Sequence, residues 1–143
     1  MDIKNLSGFE MIQAMMDGKI PPPTMSQTIP MRPTLVESGE ITFEVQADQH
    51  HLDPLGNVHV GFAATVLDTV TGCAIHTLLE AGAKYGTVDL NIKMCRPIPQ
   101  NKPLNAIGKV INLSEKLGIS EGKIIDENGE LYAYATAACV ITR

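Results

Sequence analysis

Tryptophan is absent from this chain of 143 residues, and three phenylalanines and three tyrosines are its only other large aromatics. A basic cluster is missing too: 11 basic residues against 16 acidic ones leave a formal net charge of −5. Without a positive patch or an aromatic ladder for stacked bases, no nucleic acid partner is expected. Cys73, Cys95 and Cys139 lie far apart inside apolar segments. They lack metal-ligand spacing and three cannot all pair within one chain, so free buried thiols in a reducing, cytoplasmic compartment are expected. No His/Cys/Asp cluster has zinc spacing, and no glycine-rich phosphate loop occurs, so neither a metal nor a cofactor is expected. The N-terminus has no basic segment followed by an apolar core, which argues against a signal peptide. Repeats, linkers and low-complexity tails are missing as well.

What is present fits a soluble globular chain, with 44% hydrophobic and 19% charged residues. The length suits one domain over residues 1–143, large enough for a real core. Its organising stretch is Asp53–Glu80. Turn chemistry at Asp53-Pro54 and Gly56-Asn57 leads through His59 and Gly61 into an apolar run from Phe62 to Leu79. That run is too long for a strand and predicts a buried central helix over 59–80, apolar on almost every side. Asp68 interrupts it, beside Val66, Leu67 and Val70, where a carboxylate is costly to bury without partners. The Asp and several Thr argue against a membrane span.

Before the helix, residues 1–33 read as a short helix and a Pro-rich arm. Ser7-x-x-Glu10 is a capping box, Gly18 is a stop, and Pro21, Pro22 and Pro23 force an extended connector. Alternation predicts a first strand over Leu35–Ala47. After the helix, Val88, Leu90, Ile92 and Met94 alternate with Thr87, Asp89, Asn91 and Lys93 until Pro97 breaks the run. Leu104–Leu113 and Ile119–Ile125 read as further strands. Asp126-Glu127-Asn128-Gly129 reads as a hairpin turn into Leu131–Ile141, which puts Ala133, Ala135, Ala137 and Cys139 on one face. His50 and His51 precede a turn and read as surface residues. The order predicts an α+β fold: a curved antiparallel sheet, its last four strands a meander, wrapped round one long helix. The sheet's outer face needs solvent or a second copy as cover.

Asp53-Pro54-Leu55-Gly56-Asn57-Val58-His59-Val60-Gly61, with Asp68 nine residues after the histidine, resembles the motif of PaaI-like hotdog-fold acyl-CoA thioesterases, related to 4-hydroxybenzoyl-CoA thioesterase. That motif reads Asn-x-x-Gly-x-x-His-Gly-Gly, followed by an acidic residue on the helix. Thr87-Val88-Asp89-Leu90-Asn91, ending in Arg96-Pro97, is similar to the family's second strand. The resemblance implies a single hotdog domain, a homodimer or dimer of dimers, and hydrolysis of an acyl-CoA to free acid and CoA. Position by position, it implies that the Val60 N–H polarises the thioester carbonyl from the helix N-terminus. Asp68 would be general base or nucleophile, His59 would orient the carbonyl or shape the loop, and Gly61 would admit the substrate. Thr87 would help hold the water, although its parity with Asp89 and Asn91 lets it reach a site only at a dimer interface or strand end. Gly56 belongs to the binding loop, and Lys93 and Arg96 are candidates for a CoA phosphate.

Two positions depart from the motif. Asp53 replaces Asn, and an ionised Asp accepts hydrogen bonds but cannot donate them. Were Asp53 to approach Asp68 across a dimer interface, one carboxylate's pKa would rise, or the pair would share a proton. Val60 replaces Gly; it keeps its N–H but narrows the approach. These departures support an alternative: an acyl-CoA-binding hotdog protein that does not cleave, acting as sensor or carrier. A hydratase or dehydratase on the same fold ranks third, because its His–acid pair is arranged differently. The few aromatics disfavour an aromatic-stacked acyl pocket.

Overall fold

Where alternation suggested one long first strand, the chain turns back on itself. Glu37-Ser38-Gly39-Glu40 closes a hairpin between β1 (Met31–Glu37) and β2 (Glu40–Val45) in the computed structural model, which describes residues 2–143. Gly39 sits at φ 82°, a left-handed position that favours glycine. On β2, Ile41, Phe43 and Val45 are buried while Thr42 and Glu44 are half-buried, as the period of two requires.

The remaining strands are β3 (Lys84–Met94), β4 (Leu104–Leu113), β5 (Leu117–Ile125) and β6 (Leu131–Thr142). They complete a six-stranded antiparallel sheet in the order β1-β2-β4-β5-β6-β3. Only β4, β5 and β6 form the expected meander. β3 crosses to the far side of β6 and becomes an edge, because it follows a helix that spans the sheet rather than a tight turn. The β5–β6 hairpin closes as expected, with Gly129 at φ 78°. The Asp126 carboxylate staples it, accepting the N–H groups of Asn128 and Glu130 at 2.9 Å each. The Glu130 N–H above all holds that carboxyl below its usual range.

The central helix, α3, runs Val60–His76, with His59 as its N-cap. It ends earlier than the apolar run because Leu78 and Leu79 tighten into a turn, their N–H groups bonding the carbonyls of Ile75 and His76. Phe62, Val66, Leu67 and Val70 are fully buried against Ile41, Phe43, Leu104 and Ile124. Each such side chain contributes about 1.5–3 kcal/mol. Ala133, Ala135, Ala137 and Cys139 form the small-residue face expected of β6, and all are buried. The helix therefore lies close to the sheet, so close that a Cβ at Gly108 would fall on the Val70 carbonyl oxygen.

The N-terminal segment forms α1 (Gly8–Met16), opened by the expected Ser7/Glu10 capping box. It docks on the end of α3 through the Gly8 N–H, which donates to Leu79 O at 3.0 Å. Pro21–Pro23 are extended and lead into α2 (Met25–Thr28). No helix among the described residues is long and apolar enough to cross a membrane.

Candidate active site

The turn before α3 is a small closed loop. The His59 N–H donates to His51 O at 2.8 Å and the Asp53 N–H to Asn57 O at 2.7 Å, with Leu52 and Val58 bridged between them. Asp53 holds its apex: Oδ1 accepts the N–H groups of Leu55 at 2.8 Å and Asn57 at 3.0 Å. This job needs only an acceptor, so Asp performs it as Asn would. What Asp lacks is the donor that an Asn amide would present on the other side.

His59 caps α3 by folding its ring back, and Nδ1 accepts the Gly61 N–H at 2.7 Å. In the neutral ring that places the proton on Nε2, which remains a donor. Gly61 is glycine for this reason: a Cβ there would lie 2.8 Å from His59 Nδ1. The space over Gly61 is thus taken by the imidazole. The Val60 N–H has no hydrogen-bond partner among the described residues, and Val60 is 54% exposed. A free, solvent-facing donor at the positive end of a 17-residue helix is suited to a developing negative charge.

Asp68 is exposed, which corrects the expectation of a carboxylate enclosed by its helix neighbours. Val66, Leu67 and Val70 point into the core, whereas Asp68 lies with Thr65 and Thr69 on the one strip of α3 that the sheet leaves open. The threonines satisfy themselves within the helix, Thr65 on Gly61 O and Thr69 on Thr65 O, so neither ties down the carboxylate.

Thr87 is on the opposite face from the one its parity suggested. A β-bulge at Val88 inserts one residue between the pairs Thr87–Cys139 and Asp89–Ala138. Tyr85 and Thr87 consequently share the helix-facing side with Leu90 and Ile92, and Thr87 Oγ1 lies 3.6 Å from Cys139 Sγ. Tyr85 covers the second half of the open strip, its ring seated where a Cβ on Gly72 would come within 2.8 Å. Asp68 lies near enough to help raise the pKa values of Tyr85, Cys73 and Cys139. Burial, the larger cause, pushes the Cys73 thiol to about 12, and it raises Cys139 too, so neither is a nucleophilic thiolate. Cys95 is exposed rather than buried.

Three other candidates are placed less closely. Gly56 is at the exposed loop tip with φ 84°. Lys93 is exposed and bonds Asn91 at 3.0 Å. Arg96 is engaged elsewhere, with Glu130 at 2.9 Å and the Leu131 carbonyl at 2.6 Å, and is not a free phosphate partner. Asp53 makes no hydrogen bond with Asp68 within the protomer, and Asp68 stands eight residue steps along α3 from Val60, about 12 Å of helix.

Sequence pattern missed His51, which is buried rather than on the surface. Its Nδ1 accepts the Asp48 N–H at 3.0 Å and its Nε2–H donates to Thr28 O at 2.8 Å, tying the arm to the loop that carries His59. No periodicity marks such a residue, because its partners are backbone groups distant in sequence. His51→Leu is expected to leave two backbone groups unpaired and destabilise the fold by about 2–3 kcal/mol. Urea denaturation checks this, and a change below about 0.5 kcal/mol would show the bonds to be dispensable.

A family model described as the thioesterase superfamily matches residues 55–133. A protein of Halobacterium salinarum named as an esterase is 33% identical over 72 residues, 49% of this chain and 46% of that protein. The match therefore spans about half the length of this curated relative. Among solved structures, a phenylacetic acid degradation-related protein from Ralstonia eutropha, designated a thioesterase, is 27% identical with a TM-score of 0.82, covering 90% of this chain and 98% of that one. A thioesterase from Haemophilus influenzae has a TM-score of 0.79 at 17% identity, over 99% and 94% of the two chains. An Asn-to-Asp variant of the phenylacetic acid degradation protein PaaI from Thermus thermophilus has a TM-score of 0.74 at 20% identity, over 82% and 98%. The last two likenesses carry the fold alone. With the sheet and helix described above, these matches identify the hotdog fold.

Proposed function

The chain belongs to the thioesterase superfamily, and on that premise we propose that it hydrolyses an acyl-CoA thioester to a free carboxylic acid and CoA, working as a homodimer or a dimer of dimers. The observation that carries this reading is the free Val60 N–H at the capped N-terminus of α3, with the exposed carboxylate of Asp68 on the same helix. The thioester oxygen accepts the Val60 N–H, and His59 Nε2–H offers a second donor. Asp68 takes a proton from a water that attacks the carbonyl carbon. The resulting oxyanion is held by the helix terminus, and its collapse expels the CoA thiolate.

About 12 Å of helix between Val60 and Asp68 is too far for both to serve one carbonyl, since each must lie near 3 Å from reacting atoms. One site therefore takes its donor from one protomer and its carboxylate from another. β3 offers the means: it pairs with β6 on one edge, its other edge is open, and Val88 on it is 65% exposed. Antiparallel pairing of two β3 edges would continue the sheet and set each loop 51–61 against the other copy's Asp68. Thr87, beside this junction, would hold the attacking water.

The test is release of CoA thiol, followed with a thiol reagent, from short, long and aromatic acyl-CoAs. Turnover by the wild type is expected. Asp53→Asn preserves both loop bonds through Oδ1, removes a negative charge from the loop that leads into α3, and adds an amide donor. It is expected to raise kcat/KM by about tenfold, the effect of one improved hydrogen bond. Turnover by neither protein would overturn hydrolysis and leave the non-cleaving acyl-CoA binder as the reading.

A further inference from the structure

An apolar cavity of about 180 Å³ lies between α3 and the N-terminal arm. Thr69 and Cys73 of α3 form one wall, and Ile12 and Met15 of α1, Met25 of α2 and Phe43 of β2 form the others, with Pro22 and Pro23 across the top. Thr69 immediately follows Asp68 in the open strip, so the cavity begins where a scissile carbonyl would stand. It runs one turn along the helix to Cys73, whose thiol faces the Tyr85 hydroxyl. No carboxylate lines it, and its one charged residue, Arg32, has a side chain 69% exposed and paired with Glu44 at 3.1 Å.

Resting on the thioesterase reading, we propose that this cavity is the acyl pocket and that it takes an unbranched saturated chain of medium length. The size follows from comparison: an apolar cavity of about 150 Å³ holds the six carbons of benzene, so this one holds about seven. Its chemistry sets the class. A charged group on the acyl end would find no counter-ion inside, and the only hydroxyls on the wall are Ser26 and Thr69, the latter already donating to Thr65 O, so a polar acyl end is disfavoured. Three methionines and three prolines give a wall that adapts to a flexible chain, while Phe43 is its one aromatic ring. The N-terminal arm thus has a role beyond packing, as the outer wall that fixes chain length.

The experiment measures kcat/KM for saturated acyl-CoAs from two to sixteen carbons, together with hydroxyphenylacetyl-CoA, for wild type and two variants with opposite effects. Ser26→Phe fills the cavity from α2, and Met15→Ala enlarges it. The wild type is expected to peak at about six to eight carbons, with each methylene inside the pocket worth up to about tenfold. Ser26→Phe should move the peak to about four carbons or fewer, and Met15→Ala should lengthen it by about two carbons; a misfolded protein would not produce opposite shifts. Identical profiles for all three proteins, or a wild-type preference for the hydroxyaromatic substrate, would overturn the proposal. If the wild type cleaves nothing, the hydrolysis reading fails, and calorimetry then decides about the cavity alone. Hexanoyl-CoA binding about tenfold tighter than CoA, with the difference lost in Ser26→Phe, sustains the pocket. Equal affinities refute it.

Discussion

Asp68→Asn is expected to lose about 10²–10⁴ in kcat, the range a general base contributes, with KM changing little. The substitution keeps the shape of the side chain and removes only its ability to take a proton. Asp68 makes no side-chain hydrogen bond among the described residues and is exposed, so stability should stay within about 0.5 kcal/mol of wild type. That separation gives the result its force: a dead but normally stable protein places Asp68 in the chemistry. A variant retaining more than about a tenth of the wild-type rate would remove Asp68 from the role of base and shift attention to Thr87 and His59. Single turnover in isotopically labelled water then distinguishes two routes. Label in the released acid alone fits a water activated by the carboxylate, whereas label appearing in Asp68 itself fits direct attack through an anhydride.

Gly108→Ala is expected to be severely destabilising. Its Cβ would overlap the Val70 carbonyl oxygen, which is backbone in the middle of α3 and cannot rotate away. Helix and sheet must separate, opening the layer that contains Val66, Val70 and Ala106. Overpacking of this kind costs about 3 kcal/mol or more and should lower Tm by about 10 °C. Gly86→Ala is the matched control: nothing lies within 4 Å of a Cβ at Gly86, and its change should stay within about 0.5 kcal/mol. If both variants melt with the wild type, the helix does not need its close seat on β4. Activity should fall in parallel with the Gly108→Ala destabilisation, because α3 carries both the Val60 donor and the Asp68 carboxylate.

Much of this architecture was legible in residue order. The Ser7/Glu10 capping box, the bounds of β4 and the alanine face of β6 follow from local hydrogen bonding and side-chain periodicity, which act within a few residues. The turn chemistry of Asp53–Gly61 and the carboxylate on the helix behind it were legible too. The Glu37–Glu40 hairpin was missed although Ser38-Gly39 marks it, because alternation on both flanks disguised the turn.

By itself the sequence determined one long apolar helix, a set of alternating strands round it, and a capped N-terminus with an acidic residue beyond. Each of these depends on spacing along a single segment. Only the tertiary structure decided that β3 is an edge and that the Val88 bulge turns Thr87 toward the helix. It alone left Asp68 in the open strip of α3 and buried His51 between two backbone groups. The physical reason is common to all four. Register, edge position and burial are set by what packs against a segment from elsewhere in the chain, and a one-residue bulge reverses every facing inferred from period two.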